Sequence, residues 1–194
     1  MLKRILIISL LWATTCTYGQ SLEELNAKRL KTNKAGMKVL GTWAVANMVA
    51  SPILKNNATG SEKYFHEMNL YWNAFNLAIA SAGYIGSLKD DPSKYDLKES
   101  IKEQQKIEKI LLFNTGLDIG YVAAGFFLNE RGKRKNDLRL EGYGNSLKLQ
   151  GAFLAVFDLF FYLAHHKNAK QLLNILDNVS PSAQGLGLKF QYKF

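Results

Sequence analysis

Residues 110–128 read ILLFNTGLDIGYVAAGFFL, an apolar stretch whose only charged side chain is Asp118. A helix needs about 20 mainly apolar residues to cross a bilayer, and this stretch is close to that length. The stretch therefore predicts a helix that can span a membrane and that carries a carboxyl group in its middle.

Other apolar segments lie on both sides of this one. In chain order the segments are 36–54, 64–88, 107–128 and 147–164. Turn-rich or charged stretches separate them, Pro52 is expected to end the first, and Asp91-Pro92-Ser93 reads as a break before a new helix start. The pattern predicts an all-α fold, a four-helix membrane-associated bundle with up-down-up-down order. Because a mean hydropathy of −0.12 is low for four spans, a water-soluble bundle is the alternative.

Polar side chains recur along each segment at the spacing that places them on one helix face. The candidate binding residues of this polar seam are Asn47, His66, Asn69, Asn73, Asn76, Asn114, Asp118, Gln150 and Asp158. An unpaired buried amide or carboxylate is costly in an apolar medium, so we expect the four rows to face one another. Asn amides would then donate to Asp118 and Asp158. The seam is either a structural network between helices or a site for a small ligand, an ion or a proton.

Small residues follow a second pattern in the third segment. Gly116, Gly120 and Ala124 recur every four residues, which is typical of close helix contacts in membranes. We therefore expect this helix to contact neighbours on two sides.

The N-terminal residues have the features of a secretory signal peptide. Lys3 and Arg4 precede an apolar run, and Gly19 offers a cleavage position. Lipidation at Cys16 and an uncleaved anchor are the alternatives. Since Cys16 is the only cysteine, a chain cleaved after Gly19 has no disulfide or thiolate site. The expected organisation is a signal peptide (1–19), a charged approach segment (20–35), the bundle (36–166) and a C-terminal tail (167–194).

The tail carries a different period from the rest of the chain. From Leu186 to Phe194, apolar and polar residues alternate, which is typical of a β-strand. A lone strand must pair with an edge, so we expect this β-like tail to join a partner protein of the envelope. A second copy, a hairpin within the tail and a disordered tail remain open alternatives.

Charge and motifs restrict the function. The formal net charge of +9 favours anionic partners, and its distribution suits membrane lipid rather than nucleic acid, for which no motif is present. No Gly-x-Ser-x-Gly elbow, phosphate loop or paired Glu-x-x-His occurs. The sequence therefore assigns no catalytic residue, no metal ligand and no cofactor, and it favours a protein that is not an enzyme.

Several stretches resemble a family of uncharacterised bacterial envelope proteins known only as a domain of unknown function. They include the glycine- and tryptophan-containing run at 36–47, the run Tyr64–Asn76, the run 116–121, Gly142-Tyr143-Gly144 and the run 150–158. The resemblance implies a helical, membrane-associated fold and gives no activity. We expect an exported structural or interaction protein of the envelope, embedded in the inner rather than the outer membrane. A small-ligand, ion or proton-handling membrane protein and a soluble periplasmic binding bundle are the alternatives.

Overall fold

The structure is a computed structural model that describes the backbone of residues 2–184 and 187–192 and the side chains of residues 22–175. Its helices are α1 (Leu2–Asn57), α2 (Gly60–Lys89), α3 (Leu97–Lys135) and α4 (Leu138–Asn178). A single 3-10 turn at Pro92–Lys94 joins α2 to α3. The prediction of an all-α, four-helix bundle is confirmed.

The helices pack as two hairpins. α1 lies along α2, α3 lies along α4, and α4 also packs against α2 and α1. The two tight turns, at residues 58–59 and 136–137, lie at the same end of the bundle, which we call the turn end. The α2–α3 connection lies at the opposite end, the connection end. α2 and α3 do not pack closely on each other, and this separation shapes the site described below.

The helices extend beyond their predicted ends. Pro52 lies inside α1, which continues to Asn57, so the expected stop at this proline is corrected. A proline lacks only the one N–H that would donate to the carbonyl four residues earlier, so the helix continues past Pro52 at the cost of that bond and of the crowding of its ring against that carbonyl. α3 starts at Leu97, shortly after the predicted break at 91–93 and ten residues before the apolar segment, because Asp96 and Glu99 form a capping box. In this box the Glu99 backbone N–H donates to Asp96 Oδ1 at 2.7 Å.

The connection between α3 and α4 is much shorter than the sequence indicated. Asn136 ends α3 in the left-handed conformation, with φ of 52°, and its N–H donates to the carbonyls of Gly132 and Lys133. Asp137 Oδ1 accepts from the backbone N–H groups of Arg139 and Leu140, each at 3.0 Å. The caps at Asn136 and Asp137 therefore form the whole connection, where a long turn-rich or charged stretch was expected between the third and fourth apolar segments.

The buried positions of the helices follow a heptad-like spacing. In α2 they are His66, Asn69, Asn73, Asn76, Ala80 and Ser87. In α3, Gln104, Leu111, Asp118, Gly125 and Gly132 recur every seven residues. This is the spacing of left-handed coiled-coil interfaces, in which one face of each helix stays turned toward its neighbours. The four helices therefore share one interior over most of their length.

The glycines that allow close packing are not the predicted ones. Gly116 and Gly120 are exposed, and a Cβ atom at either would meet nothing within 4 Å. By contrast, a Cβ at Gly125 would lie 2.7 Å from the Gly144 carbonyl oxygen across the α3–α4 interface. A Cβ at Gly142 would lie 2.8 Å from the Phe65 backbone nitrogen of α2. The close contacts therefore occur near the turn end, and the face with Gly116 and Gly120 points outward.

The expected approach segment, 20–35, continues α1 and joins the bundle. Asn26, Arg29 and Leu30 are buried. After α4, β1 (Val179–Gln184) and β2 (Gly187–Tyr192) form an antiparallel pair. The first part of the expected tail, 167–178, instead continues α4, and its residues Asn168 and Leu172 are buried. The side chains of the expected signal peptide and of residues 176–194 lie outside the described residues. Export and the tail's partner therefore stay predictions.

The polarity of the bundle is inverted relative to a water-soluble one. Among the described side chains, 17 polar or charged residues are buried, against nine apolar ones. Large apolar side chains on the surface number 24, including Phe75, Phe113 and Phe160 at 77%, 67% and 67% exposure. Water-soluble domains show the opposite preference, with apolar side chains inside. The interior is thus held largely by hydrogen bonds, while the outside is apolar.

Candidate functional site: a cleft between α2 and α3 with a carboxyl pair

The structure turns most of the predicted seam inward. Seven of the nine candidates are buried: His66, Asn69, Asn73, Asn76, Asp118, Gln150 and Asp158. Asn47 and Asn114 are half-buried. His66 lies edge-on to Phe65, with ring centroids 5.1 Å apart. Five of the others form two groups rather than one continuous row, and the two groups differ in their surroundings. Asn73, Asn76 and Asn114 belong to neither group, and Asn76 and Asn114 line the cleft described below.

The first group is centred on Gln150 and is called the Gln150 network; it comprises Trp43, Asn47, Asn69, Ser146 and Gln150. Gln150 Oε1 accepts from Trp43 Nε1 at 2.9 Å, and Gln150 Nε2 donates to Asn69 Oδ1 at 3.0 Å. The Ser146 hydroxyl donates to the same Asn69 oxygen at 2.6 Å. Side chains of α1, α2 and α4 therefore meet at one amide.

The network is closed. Asn47 Nδ2 donates to the Trp43 carbonyl at 2.9 Å, and its Oδ1 lies 3.4 Å from Gln150 Nε2. The Trp43 ring stacks on Phe153 with centroids 3.8 Å apart. No side-chain atom of the five residues is among the buried atoms that lack a partner within the described part of the chain. Such a satisfied network holds helices together and offers nothing to a ligand.

The second group is the pair Asp118 and Asp158. Their carboxyl groups face each other across the α3–α4 interface at hydrogen-bonding distance. The expected donation from Asn amides is not formed among the described residues, because Asn73 donates to the Asn69 carbonyl and Asn76 donates to Asn73. Asp118 is 4% exposed, and its Oδ2 has no partner among the described residues.

The carboxyl pair lies in the wall of a cleft between α2 and α3. The cleft has a volume of about 930 Å³, and both Asp118 and Asp158 line it. Residues of α1 and α4 form its floor, including Met37 and Phe157. At its rim the side chains of Tyr71, Phe75 and other residues of α2 and α3 are exposed. The volume is that of a site for a small organic molecule.

The described lining of the cleft is mostly apolar and aromatic and carries no positive charge. Among residues 22–175 no Lys, Arg or His lines it, so the carboxyl pair supplies its only described ionisable acids or bases other than tyrosine. Six aromatic residues line it: Tyr71, Trp72, Phe75, Tyr121, Phe157 and Phe161. Trp72 and Tyr121 contact each other edge to face at 4.9 Å, which closes the gap between α2 and α3 at that level.

A third polar cluster, at the connection end, was not predicted. Gln104 Nε2 donates to the His165 carbonyl at 2.8 Å, and Asn168 Nδ2 donates to Gln104 Oε1 at 3.1 Å. Nearby, Asn26 Nδ2 donates to Ser100 Oγ at 2.8 Å. A sequence signal existed, because Gln104 precedes Asp118 by two heptads on the same face of α3. The charged residues around Gln104 in the sequence conceal this heptad spacing.

An ion pair links α1 and α2 at the turn end. Lys55 Nζ lies 2.7 Å from Glu67 Oε2, and the Tyr143 hydroxyl donates to Glu67 Oε1 at 2.8 Å. The hydrogen bonds from Lys55 and Tyr143 hold the pKa of Glu67 below its usual range. Glu67 precedes the uncharged part of α2, so this pair belongs to the polar end of the bundle.

No cofactor or metal site stands out. Among residues 22–175, no three His, Cys, Asp or Glu side chains lie close enough to hold a metal ion. The candidate site is therefore the cleft with its carboxyl pair.

Comparisons with known proteins match the chain to one family profile. No curated protein and no solved structure matches it. A family profile matches residues 39–159, which include the Gln150 network and the carboxyl pair. The resemblance to an uncharacterised family is confirmed at that level: the chain belongs to the family of unknown function DUF6992.

Proposed function

We propose that this chain is an integral membrane protein of the cell envelope whose α2/α3 cleft binds a small ligand that arrives from the lipid. The observation that carries the proposal is the inverted polarity, with polar side chains buried and 24 large apolar side chains exposed. In water such a surface would aggregate, whereas in hydrocarbon it matches its surroundings.

The lengths and charges of the helices support an embedded bundle. α1, α3 and α4 are each long and apolar enough to cross a membrane. α2 carries no Asp, Glu, Lys or Arg between residues 68 and 88, and the carboxyl pair supplies the only such charges in 110–129 and 149–164. Contacts such as Trp72–Tyr121 and Trp43–Phe153 place these stretches side by side. The three stretches form one apolar belt and hold 21, 20 and 16 residues, against the about 20 that a bilayer crossing requires.

The position of the cleft supports entry from the lipid. It lies between two helices within this belt, and its rim residues Phe75 and Ile79 are exposed. A ligand that dissolves in the bilayer reaches such a rim without crossing water. The carboxyl pair then offers a polar group in the wall of the cleft, since both Asp118 and Asp158 line it.

Extraction from membranes tests the embedding. We expect the expressed full chain to stay in the membrane pellet after washes with high salt and with alkaline carbonate, and to be released by detergent. Release by carbonate alone would contradict the proposal and would favour a soluble periplasmic bundle.

Cysteine labelling tests which face meets lipid. In a Cys16→Ser background, Val156→Cys places a thiol on the exposed apolar face of α4, and Lys135→Cys places a matched thiol at the turn end. We expect a water-soluble maleimide to label the second thiol in nanodiscs and to leave the first unlabelled until detergent is added. Equal labelling of both thiols would place Val156 in water.

Export by a cleaved signal peptide, residues 1–19, is part of the proposal. The basic start, apolar run and Gly19 support it. Mass spectrometry of the protein purified from its native membrane should show a mature chain that starts at Gln20. A mass that includes residues 1–19 would instead indicate an uncleaved anchor.

A structural or interaction role is the second candidate, favoured by the closed Gln150 network. In that case filling the cleft by Leu154→Trp should leave every measured binding signal unchanged. The tail, whose β1 and β2 form a two-stranded sheet, would offer its free edges to an envelope partner.

A further inference from the structure

We infer that the ligand of the α2/α3 cleft is a lipophilic cation, bound through its positive charge to the carboxyl pair Asp118 and Asp158. The inference rests on the proposed function, because it names the chemical class of the ligand for that cleft. It is drawn from the charge, the aromatic lining and the shape of the cleft.

The charge of the cleft selects against anions. Its lining holds two carboxyl groups and no Lys, Arg or His. Two carboxyl groups at hydrogen-bonding distance share a proton, since two bare carboxylates repel each other strongly in an apolar medium. The pair then carries one negative charge that no described side chain neutralises. A cation in the cleft provides the missing counter-charge, whereas a carboxylate or phosphate ligand would add repulsion.

The aromatic walls favour the same class of ligand. Trp72 and Tyr121 line the cleft next to the carboxyl pair, and Phe157 precedes Asp158 in the floor. A cation over an aromatic face gains electrostatic attraction from the ring, and this gain increases when water is excluded. Aromatic rings beside a buried carboxyl group are the arrangement that recognises organic ammonium and phosphonium groups.

The rest of the cleft requires an apolar body on that cation. Its volume of about 930 Å³ far exceeds that of a metal ion, and most of the remaining lining is apolar, including Leu111 and Leu154. A hydrated inorganic ion would lose water there without gaining enough ligands. An organic cation with apolar groups fills the volume and partitions into the bilayer from which the cleft is reached.

Equilibrium binding of tetraphenylphosphonium tests the inference. The full chain is placed in lipid nanodiscs, and uptake by protein-free nanodiscs is subtracted. We expect saturable binding of one cation per chain that tetraphenylborate, an anion of the same shape, does not compete with. Quenching of Trp72 fluorescence, taken as the difference between the wild type and Trp72→Phe, should follow the same isotherm.

Charge-removing variants locate the cation. The double variant Asp118→Asn/Asp158→Asn should weaken tetraphenylphosphonium binding at least about tenfold, since it removes the one negative charge of the pair and keeps its shape. Asp118→Asn alone is not sufficient, because Asp158 still carries that charge. If the double variant fails to fold by circular dichroism, Asp118→Asn/Asp158→Ser takes its place. Glu130→Gln is the matched control, because it removes one negative charge from the exposed end of α3, and it should leave binding unchanged. Equal affinity in the wild type and in the folded double variant would overturn the inference.

A neutral probe separates this inference from the proposed function. Brominated dodecanol should quench Trp72 in the wild type and in the double Asp variant, and the cleft-filling variant Leu154→Phe, which adds no second tryptophan to the cleft, should reduce that quenching. If the alcohol enters the cleft and cation binding shows no dependence on the carboxyl pair, the cleft is real and the inferred ligand class is wrong. If neither probe is sensitive to Leu154→Phe, the proposed ligand site itself fails.

Discussion

The Gln150 network and the carboxyl pair contain the same kinds of residue, polar side chains at helical spacing within an apolar belt, yet they end in opposite states. Gln150 has a partner on each side-chain atom, drawn from α1 and α2. Asp118 keeps one buried oxygen without a partner among the described residues and lines a cleft. Polarity inside a helical bundle therefore does not by itself mark a functional site. The distinction comes from whether the hydrogen bonds are complete and whether space remains beside them.

The largest expected effect is on stability and comes from the hub of the closed network. Gln150→Leu leaves Trp43 Nε1 without an acceptor and removes a donor to Asn69. We expect a loss of about 2–3 kcal/mol in the free energy of unfolding, because buried polar atoms lose their partners. Denaturant unfolding in detergent measures it. Gln105→Leu, at an exposed position of α3, is the control and should change little.

A smaller loss is expected when one donor of the network is removed and its packing is kept. Trp43→Phe retains an aromatic ring on Phe153 but leaves Gln150 Oε1 without that donor. We expect a loss of about 1 kcal/mol in the same unfolding measurement. A stability equal to that of the wild type would show that the Trp43–Gln150 hydrogen bond does not stabilise the bundle. The contrast between a closed network and an open carboxyl pair would then not hold.

The carboxyl pair should behave in the opposite way. Asp118→Asn replaces the proton that the pair shares by an amide that donates to Asp158, so the buried charge keeps a partner and stability should stay the same or rise by up to about 1 kcal/mol. A thermal melt of the variant beside Gln150→Leu compares the two regions directly. If Asp118→Asn instead lowered stability as much as Gln150→Leu, the pair would be structural in the same sense as the network.

The smallest expected effect is on the pH dependence of stability at the turn end. The pKa of Glu67 is below its usual range because of hydrogen bonds from Lys55 and Tyr143. The ionised Glu67 side chain therefore contributes to stability at every pH above 4.5, the ordinary pKa of the group. This contribution is lost as the pH falls through the lower pKa of the folded state. We expect the wild type to exceed Glu67→Gln by about 0.5–1 kcal/mol near neutral pH, and this difference to disappear in acid.

Melts of both proteins between neutral and acidic pH, in one detergent, measure that difference. A difference that grows on acidification would have the wrong sign for a carboxylate stabilised by its partners. Glu67 belongs to neither the Gln150 network nor the carboxyl pair. The size of its effect therefore serves as a reference value for the stability changes expected in those two regions.

Much of the fold follows from the sequence because helical periodicity is a property of one segment. The spacing of Asn69, Asn73 and Asn76 indicated a common face, and the structure buries all three. The seven-residue spacing of Gln104, Leu111 and Asp118 carried the same information, hidden by surrounding charges. Periodicity indicates which face of a helix turns inward. It does not indicate the level at which two helices meet, that is, how far one helix is shifted along the axis of its neighbour.

The details of the site depend on that level. The sequence paired amides with carboxyl groups, whereas the structure pairs Asp118 with Asp158 and Asn69 with Gln150. The choice is made by contacts such as Gly125 against Gly144, which fix how far α3 slides along α4. Nor does periodicity reveal the cleft, since a gap between α2 and α3 follows from how all four helices pack together.

The two short connections at the turn end have a consequence for how the chain assembles. Each joins neighbouring antiparallel helices through only two residues, 58–59 or 136–137, so each pair forms through contacts that are close in sequence. In the proposed membrane setting, the N-terminal pair and the C-terminal pair can therefore enter a bilayer as two separate helical hairpins. The Gln150 network draws on both hairpins, so it cannot form before α2 and α4 have docked.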